Sequence, residues 1–148
     1  MKIEKSFTVN AAQDRIWAFI TAPEKVAPCI PGCEDVTETE PGKYKALVKT
    51  KIGPVKATFK LDVLLLEENA PQFAIYQTSG EETGKASHLK AKSTLTLERI
   101  DDNTTRVSYS SEINVLGKLG KFGSGMMQKV ADNIGGKFIE ALKNELEK

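Results

Sequence analysis

At 148 residues the chain is long enough to bury one sizeable core and needs no second domain. Its formal net charge of +1 offers no general pull on nucleic acid or anionic membrane, and 40% apolar with 28% charged residues is the balance of a globular protein in water. No apolar run approaches the length of a membrane-spanning helix, and the opening Met1-Lys2-Ile3-Glu4-Lys5 lacks the apolar stretch of a signal peptide, so a cytoplasmic chain is expected.

Ile3, Phe7 and Val9 alternate with Lys2, Glu4 and Ser6, the pattern of a half-buried strand. Asn10 is placed to cap a helix, with Gln13 completing a capping box, and Ile16, Trp17 and Ile20 share one face of that helix. Pro23 suits the first turn of a second short helix running to about Ala27. Pro28-Cys29-Ile30-Pro31-Gly32 is too rich in proline for anything but a fixed turn. From Glu34 onward the chain reads as a meander. A short strand begins at Val36, Pro41-Gly42 turns, and Tyr44, Ala46, Val48 and Thr50 form an inner face. After Gly53-Pro54, Val55, Ala57, Phe59, Leu61, Val63 and Leu65 alternate. Asn69-Ala70-Pro71 turns again, and Phe73, Ile75, Gln77 and Ser79 are expected to face inward before a loop from Gly80 to Gly84. Leu89, Ala91, Ser93, Leu95 and Leu97 make the next inner face, followed by Val107, Tyr109, Ser111, Ile113 and Val115.

From Phe122 to Leu146 the apolar residues Phe122, Met126, Val130, Ile134, Phe138, Leu142 and Leu146 recur every fourth position, and Met127, Ile139 and Ala141 broaden the stripe. Such a helix is roughly 37 Å long, enough to cross a whole sheet. The predicted fold is therefore α+β: a seven-stranded curved antiparallel sheet wrapped around a long C-terminal helix, with two short helices after strand 1 and lysines on the solvated face.

Several expected inner positions, among them Ala46, Thr50, Ala57, Gln77, Ser79, Ala91, Ser93 and Ser111, are small or mildly polar, where a solid core favours large branched side chains. Gly135-Gly136 interrupts the helix at about 1 kcal/mol each relative to alanine, which requires either close backbone packing or room for a ligand. A ligand cavity between sheet and helix and a solid core filled by a residue such as Trp17 are the two alternatives. The candidate cavity residues are Phe59, Leu61, Ile75, Gln77, Ala91, Ser93, Tyr109, Met126, Met127, Val130 and Ile134, with Gln77, Ser93 or Tyr109 orienting a polar head.

No catalytic, metal or cofactor constellation emerges. The single histidine, His88, falls beside Lys90 and Lys92 on the solvated face. Cys29 and Cys33 have neither the spacing nor the second pair of a zinc site, and a structural disulfide is not expected in a cytoplasmic chain. Ser111 and Ser124 lack a nucleophile context, and Gly117, Gly120, Gly123 and Gly125 do not match a phosphate loop. These glycines read as a joint before the helix, where Lys118, Leu119, Lys121 and Phe122 could form a lip able to touch an anionic membrane transiently.

Three segments carry a resemblance over essentially the whole chain: Ile30-Pro31-Gly32-Cys33-Glu34, Ile52-Gly53-Pro54-Val55-Lys56-Ala57, and Gly117-Lys118-Leu119-Gly120-Lys121-Phe122-Gly123. With the element order, they resemble the carbon monoxide dehydrogenase CoxG family of the START-like, or SRPBCC, superfamily. The resemblance implies a helix-grip fold over residues 1–148 as a single START-like/SRPBCC domain. It also implies a non-catalytic accessory protein of molybdenum-containing hydroxylases that handles a lipid or quinone-like molecule, in the cytoplasm or at the inner face of the cell membrane. The remaining alternatives are a protein-interaction or membrane-recruitment module with a solid core, and a cyclase- or hydrolase-like enzyme.

Overall fold

The computed structural model describes residues 1–52, 54–84, 87–118 and 123–148, apart from the side chain of Ser124. Strand β1 (Lys2–Val9) is followed by helices α1 (Gln13–Ile20) and α2 (Pro23–Val26) and a 3-10 turn at Ala27–Cys29. Six strands come next: β2 (Cys33–Glu40), β3 (Lys43–Ile52), β4 (Val55–Asn69), β5 (Phe73–Glu82), β6 (Ser87–Asp101) and β7 (Thr104–Gly117), and then helix α3 (Gly123–Leu146). The sheet is antiparallel in the order β1-β7-β6-β5-β4-β3-β2. Strands β2 to β7 follow one another as hairpins because their connections are short. Helices α1 and α2 instead carry the chain from one edge of the sheet to the other. The architecture is the expected helix grip.

The 24 residues of α3 rise about 36 Å. The backbone of α3 runs alongside β1 and β3, near opposite edges of the sheet. Strands as long as the 15-residue β4 and β6 must coil, and that coiling brings both margins of the sheet to a single helix.

The corner after the 3-10 turn depends on Gly32. Its φ is +80°, and a Cβ there would lie 1.8 Å from the Lys49 carbonyl oxygen. That close approach lets the Lys49 N–H donate to the Gly32 carbonyl at 2.8 Å and start the β2–β3 pairing.

Two local expectations are corrected. The capping box does not form: Ala12 is the cap residue and no side chain caps α1. The Asn10 N–H donates instead to Glu147 Oε2 at 2.8 Å, and the Gln13 amide donates to the carbonyls of Pro71 and Leu97. Tertiary partners have displaced the local ones. In β5 the inward set is Ala74, Tyr76, Thr78, Gly80 and Glu82, and the strand continues through the expected Gly80 loop to Glu82. Apolar residues stand on both faces at the start of β5 (Phe73 and Ile75 against Ala74 and Tyr76), so alternation alone has no unique phase there. A bulge between Leu65 and Glu67 of β4 adds an extra residue to the register.

Candidate functional site

The space between sheet and helix is filled unevenly. At the C-terminal end of α3, Leu142 and Leu146 pack with Val9, Ala11, Ile16, Trp17, Ala74, Leu97 and Val107, all buried. Trp17 therefore fills the far end of the grip. Tyr76 borders this cluster, and burial pushes its hydroxyl pKa up to about 12. At the N-terminal end, Met126, Met127 and Val130 meet Ile52, Ala57 and Phe59, together with Val55, Leu61, Leu89 and Val115.

Between the two clusters the register aligns inward residues in rows across the sheet. One row runs Tyr44, Val63, Thr78, Ala91, Ile113; the next runs Leu65, Tyr76, Ser93, Ser111, Ile3. Ala46, Val48, Val63, Thr78, Ala91, Ser93, Ser111 and Ile113 all face the helix, yet each remains only half-buried. Several of these side chains are short and leave space beneath the helix between the two clusters. The result is a hollow floored by β4 to β7 and roofed by Met126, Met127, Val130 and Ile134, which are themselves half-buried. Ser93 and Ser111 share a hydrogen bond of 2.8 Å between their hydroxyls, the polar centre of this floor.

Of the expected cavity residues, Phe59, Leu61, Ala91, Ser93 and Tyr109 lie on the inward face, and Met126, Met127, Val130 and Ile134 are the facing helix positions. Ile75 and Gln77 are not among them. Gln77 pairs with Leu64 and Lys92 and is exposed, and Ile75 pairs with Glu67 and Thr94, so both stand on the outer face. Tyr109 acts as a strut. A Cβ on Gly135 would lie 2.6 Å from its hydroxyl, so that glycine is explained by close packing of a side chain rather than by ligand space. Burial, then the nearby Asp132 carboxylate, raises the Tyr109 pKa.

Sequence reasoning missed two inward ionisable residues. Lys5 lies opposite Tyr109 and reaches Asp132 of α3 at 3.1 Å, tying β1 to the helix. Hydrogen bonds from Lys5 and Gln128 hold the Asp132 carboxyl below its ordinary range. Glu82 pairs with Phe59 and shares its inward face, and its Oε1 is buried with no hydrogen-bond partner among the described residues. The spacing Ile3-Lys5-Phe7 contained the signal for the first; for the second, the parity of β5 concealed it.

His88 is exposed on the outer face, paired with Glu81 and Leu116. A cavity of about 880 Å³ opens on that same outer face, lined by Leu47, Asp62, Ser79, His88, Lys90 and Leu116 among others, with charges of both signs. It is separated from the hollow by the sheet itself. Cys29 and Cys33 are free thiols whose pKa values burial pushes up. No group of three or more metal-ligating side chains occurs among the described residues, and none of their helices is long and apolar enough to cross a membrane. Of the expected lip, Lys118 is exposed, while Leu119, Lys121 and Phe122 lie outside the described residues.

The family model of the carbon monoxide dehydrogenase CoxG subunit matches residues 6–147. Among solved structures, a conserved protein from Geobacillus kaustophilus superposes with a TM-score of 0.91 at 22% identity, covering 99% of this chain and 95% of that one. The Zhui aromatase/cyclase from Streptomyces sp. R1128 superposes with a TM-score of 0.73 at 15% identity, covering 99% and 93%. A START superfamily protein from Mycobacterium smegmatis superposes at 0.69 and 15% identity, covering 99% and 97%. These likenesses establish the fold. No curated protein matches the chain.

Proposed function

The chain belongs to the carbon monoxide dehydrogenase CoxG family, and on that premise we propose that residues 1–148 act as one START-like domain that binds a hydrophobic, lipid- or quinone-like molecule without transforming it. The observation that carries this is the belt of inward-facing but half-buried residues, Ala46, Val48, Val63, Thr78, Ala91, Ser93, Ser111 and Ile113, between the solid cluster under Leu142 and Leu146 and the looser one under Met126, Met127 and Val130. A ligand there would remove apolar surface from water on both partners, worth about 25 cal/mol per Å² before the costs of immobilisation. The Ser93–Ser111 pair offers a hydrogen-bonding centre on the floor for a polar group of the ligand. Sequestration and release then constitute the mechanism, and the protein serves as an accessory that supplies or withdraws this molecule from a molybdenum-containing hydroxylase.

Organic extraction of the purified protein followed by mass spectrometry, alongside native mass spectrometry of the intact complex, tests this. A co-purifying apolar molecule in near-stoichiometric amount is expected. A protein that is empty, and that takes up no lipid or quinone when these are supplied, would refute it.

A further inference from the structure

Resting on that ligand-binding reading, we infer that the bound molecule carries an O–H or N–H donor and that Glu82 receives it. Glu82 closes β5 on the row Val48, Phe59, Glu82, beside the apolar cluster that borders the hollow. Its neighbour Phe59 is 6% exposed and belongs to the cluster that packs beneath Met126, Met127 and Val130. In this setting Oε1 is shut away from water, although Glu82 as a whole is only half-buried, and no donor among the described residues reaches Oε1. Buried side-chain acceptors in native proteins are almost always paired, because a carboxylate oxygen removed from water without a donor carries its whole desolvation penalty. The inward Lys5, by contrast, has its partner in Asp132. Glu82 is therefore an acceptor waiting for a donor beside the apolar cluster that borders the hollow.

The chemistry sets a selectivity. A hydroxyl or amine gives Oε1 the hydrogen bond that the protein withholds. A ligand ending there in a carbonyl or ether sets lone pairs against the carboxylate and is disfavoured, so within the quinone-like class the reduced, hydroxyl-bearing form is the one favoured. Carboxylate-assisted hydrogen bonds are about twice as strong as neutral ones, so the preference is on the order of tenfold or more in affinity.

Displacement of the neutral fluorophore N-phenyl-1-naphthylamine by matched ligands reads this out. We expect 4-heptylphenol to bind wild type at least about tenfold more tightly than 4-heptylanisole, which differs only by capping the donor. In Glu82→Leu the two should bind within about twofold of each other, because the acceptor is gone. Glu82→Gln, which keeps the shape, should reduce the preference if the leucine variant does not fold. Tighter binding of 4-heptylbenzylamine than of the phenol would identify the donor as a cation, in support of the same role. Equal binding of phenol and anisole by wild type, or a preference that persists in both variants, would overturn the role of Glu82 while leaving the apolar site intact. Failure of the fluorophore and of every heptyl ligand to bind would overturn the ligand-binding reading itself.

Discussion

A methyl group at position 135 would come within 2.6 Å of the Tyr109 hydroxyl, although the same methyl would improve helix propensity by about 1 kcal/mol. The two effects oppose, and at 2.6 Å the hydroxyl must move for the methyl to enter, a displacement that outweighs the propensity gain while the hydroxyl is present. Gly135→Ala should therefore destabilise the wild-type protein yet stabilise the Tyr109→Phe variant by about 0.5–1 kcal/mol. Urea denaturation of the four proteins in this cycle checks the sign reversal, and additive effects would disprove the contact. Gly136, beside it, meets nothing that its absent side chain would disturb. The dipeptide looked like a single feature in the sequence, but only one of its members is required by packing. The helical period shows that a glycine is present, and only the partner across the interface shows what it makes room for.

The helix α3 is uneven along its length. Leu142 and Leu146 are 0% and 2% exposed in the solid end, while Met126, Met127, Val130 and Ile134 are half-buried above the hollow. Leu142→Ala removes fully packed volume and should cost about 2–5 kcal/mol. Met127→Ala removes a half-buried side chain and should cost about 1 kcal/mol or less, while weakening binding of an apolar ligand. Thermal and urea unfolding with parallel ligand titrations would show this gradient, and equal costs at the two sites would mean that the N-terminal end is as solid as the C-terminal one. The every-fourth apolar stripe from Met126 to Leu146 was legible in the sequence, because amphipathic periodicity follows from helix geometry alone. The gradient along it was not, since a methionine and a leucine at equivalent stripe positions read alike until the opposing face is known. The same holds for α1, where Asn10 and Gln13 matched a capping box but found partners in the chain just after α3, in the Ala70–Pro71 turn region and in β6.

For the molecule as a whole, the decisive quantity is the fit between a coiled sheet and the helix that packs across it. Ala91 sits on the row between Thr78 and Ile113, facing the helix across the hollow. Ala91→Trp should change the unfolding free energy by less than about 1 kcal/mol while abolishing ligand uptake, because an existing space takes the ring; an overpacked solid core would instead lose about 1–3 kcal/mol. Denaturation and uptake measured on the same variant separate these outcomes, and a strongly destabilised protein would count against the hollow. By itself the sequence determined the number and order of the strands, the long helix, the family and most of the inward residues, since alternation of period two and recurrence of period 3.6 are local consequences of backbone geometry. It also pointed to the hollow, through alanines and serines where a core would place larger groups. Only the tertiary structure decided the face of β5, which exchanged Ile75 and Gln77 for Tyr76, Thr78 and Glu82, because strand phase is set by the neighbouring register wherever both faces carry apolar residues. Only there, too, did Lys5 meet Asp132 while Glu82 Oε1 met no donor among the described residues: a partner is a matter of distance in space, which spacing along a chain does not encode.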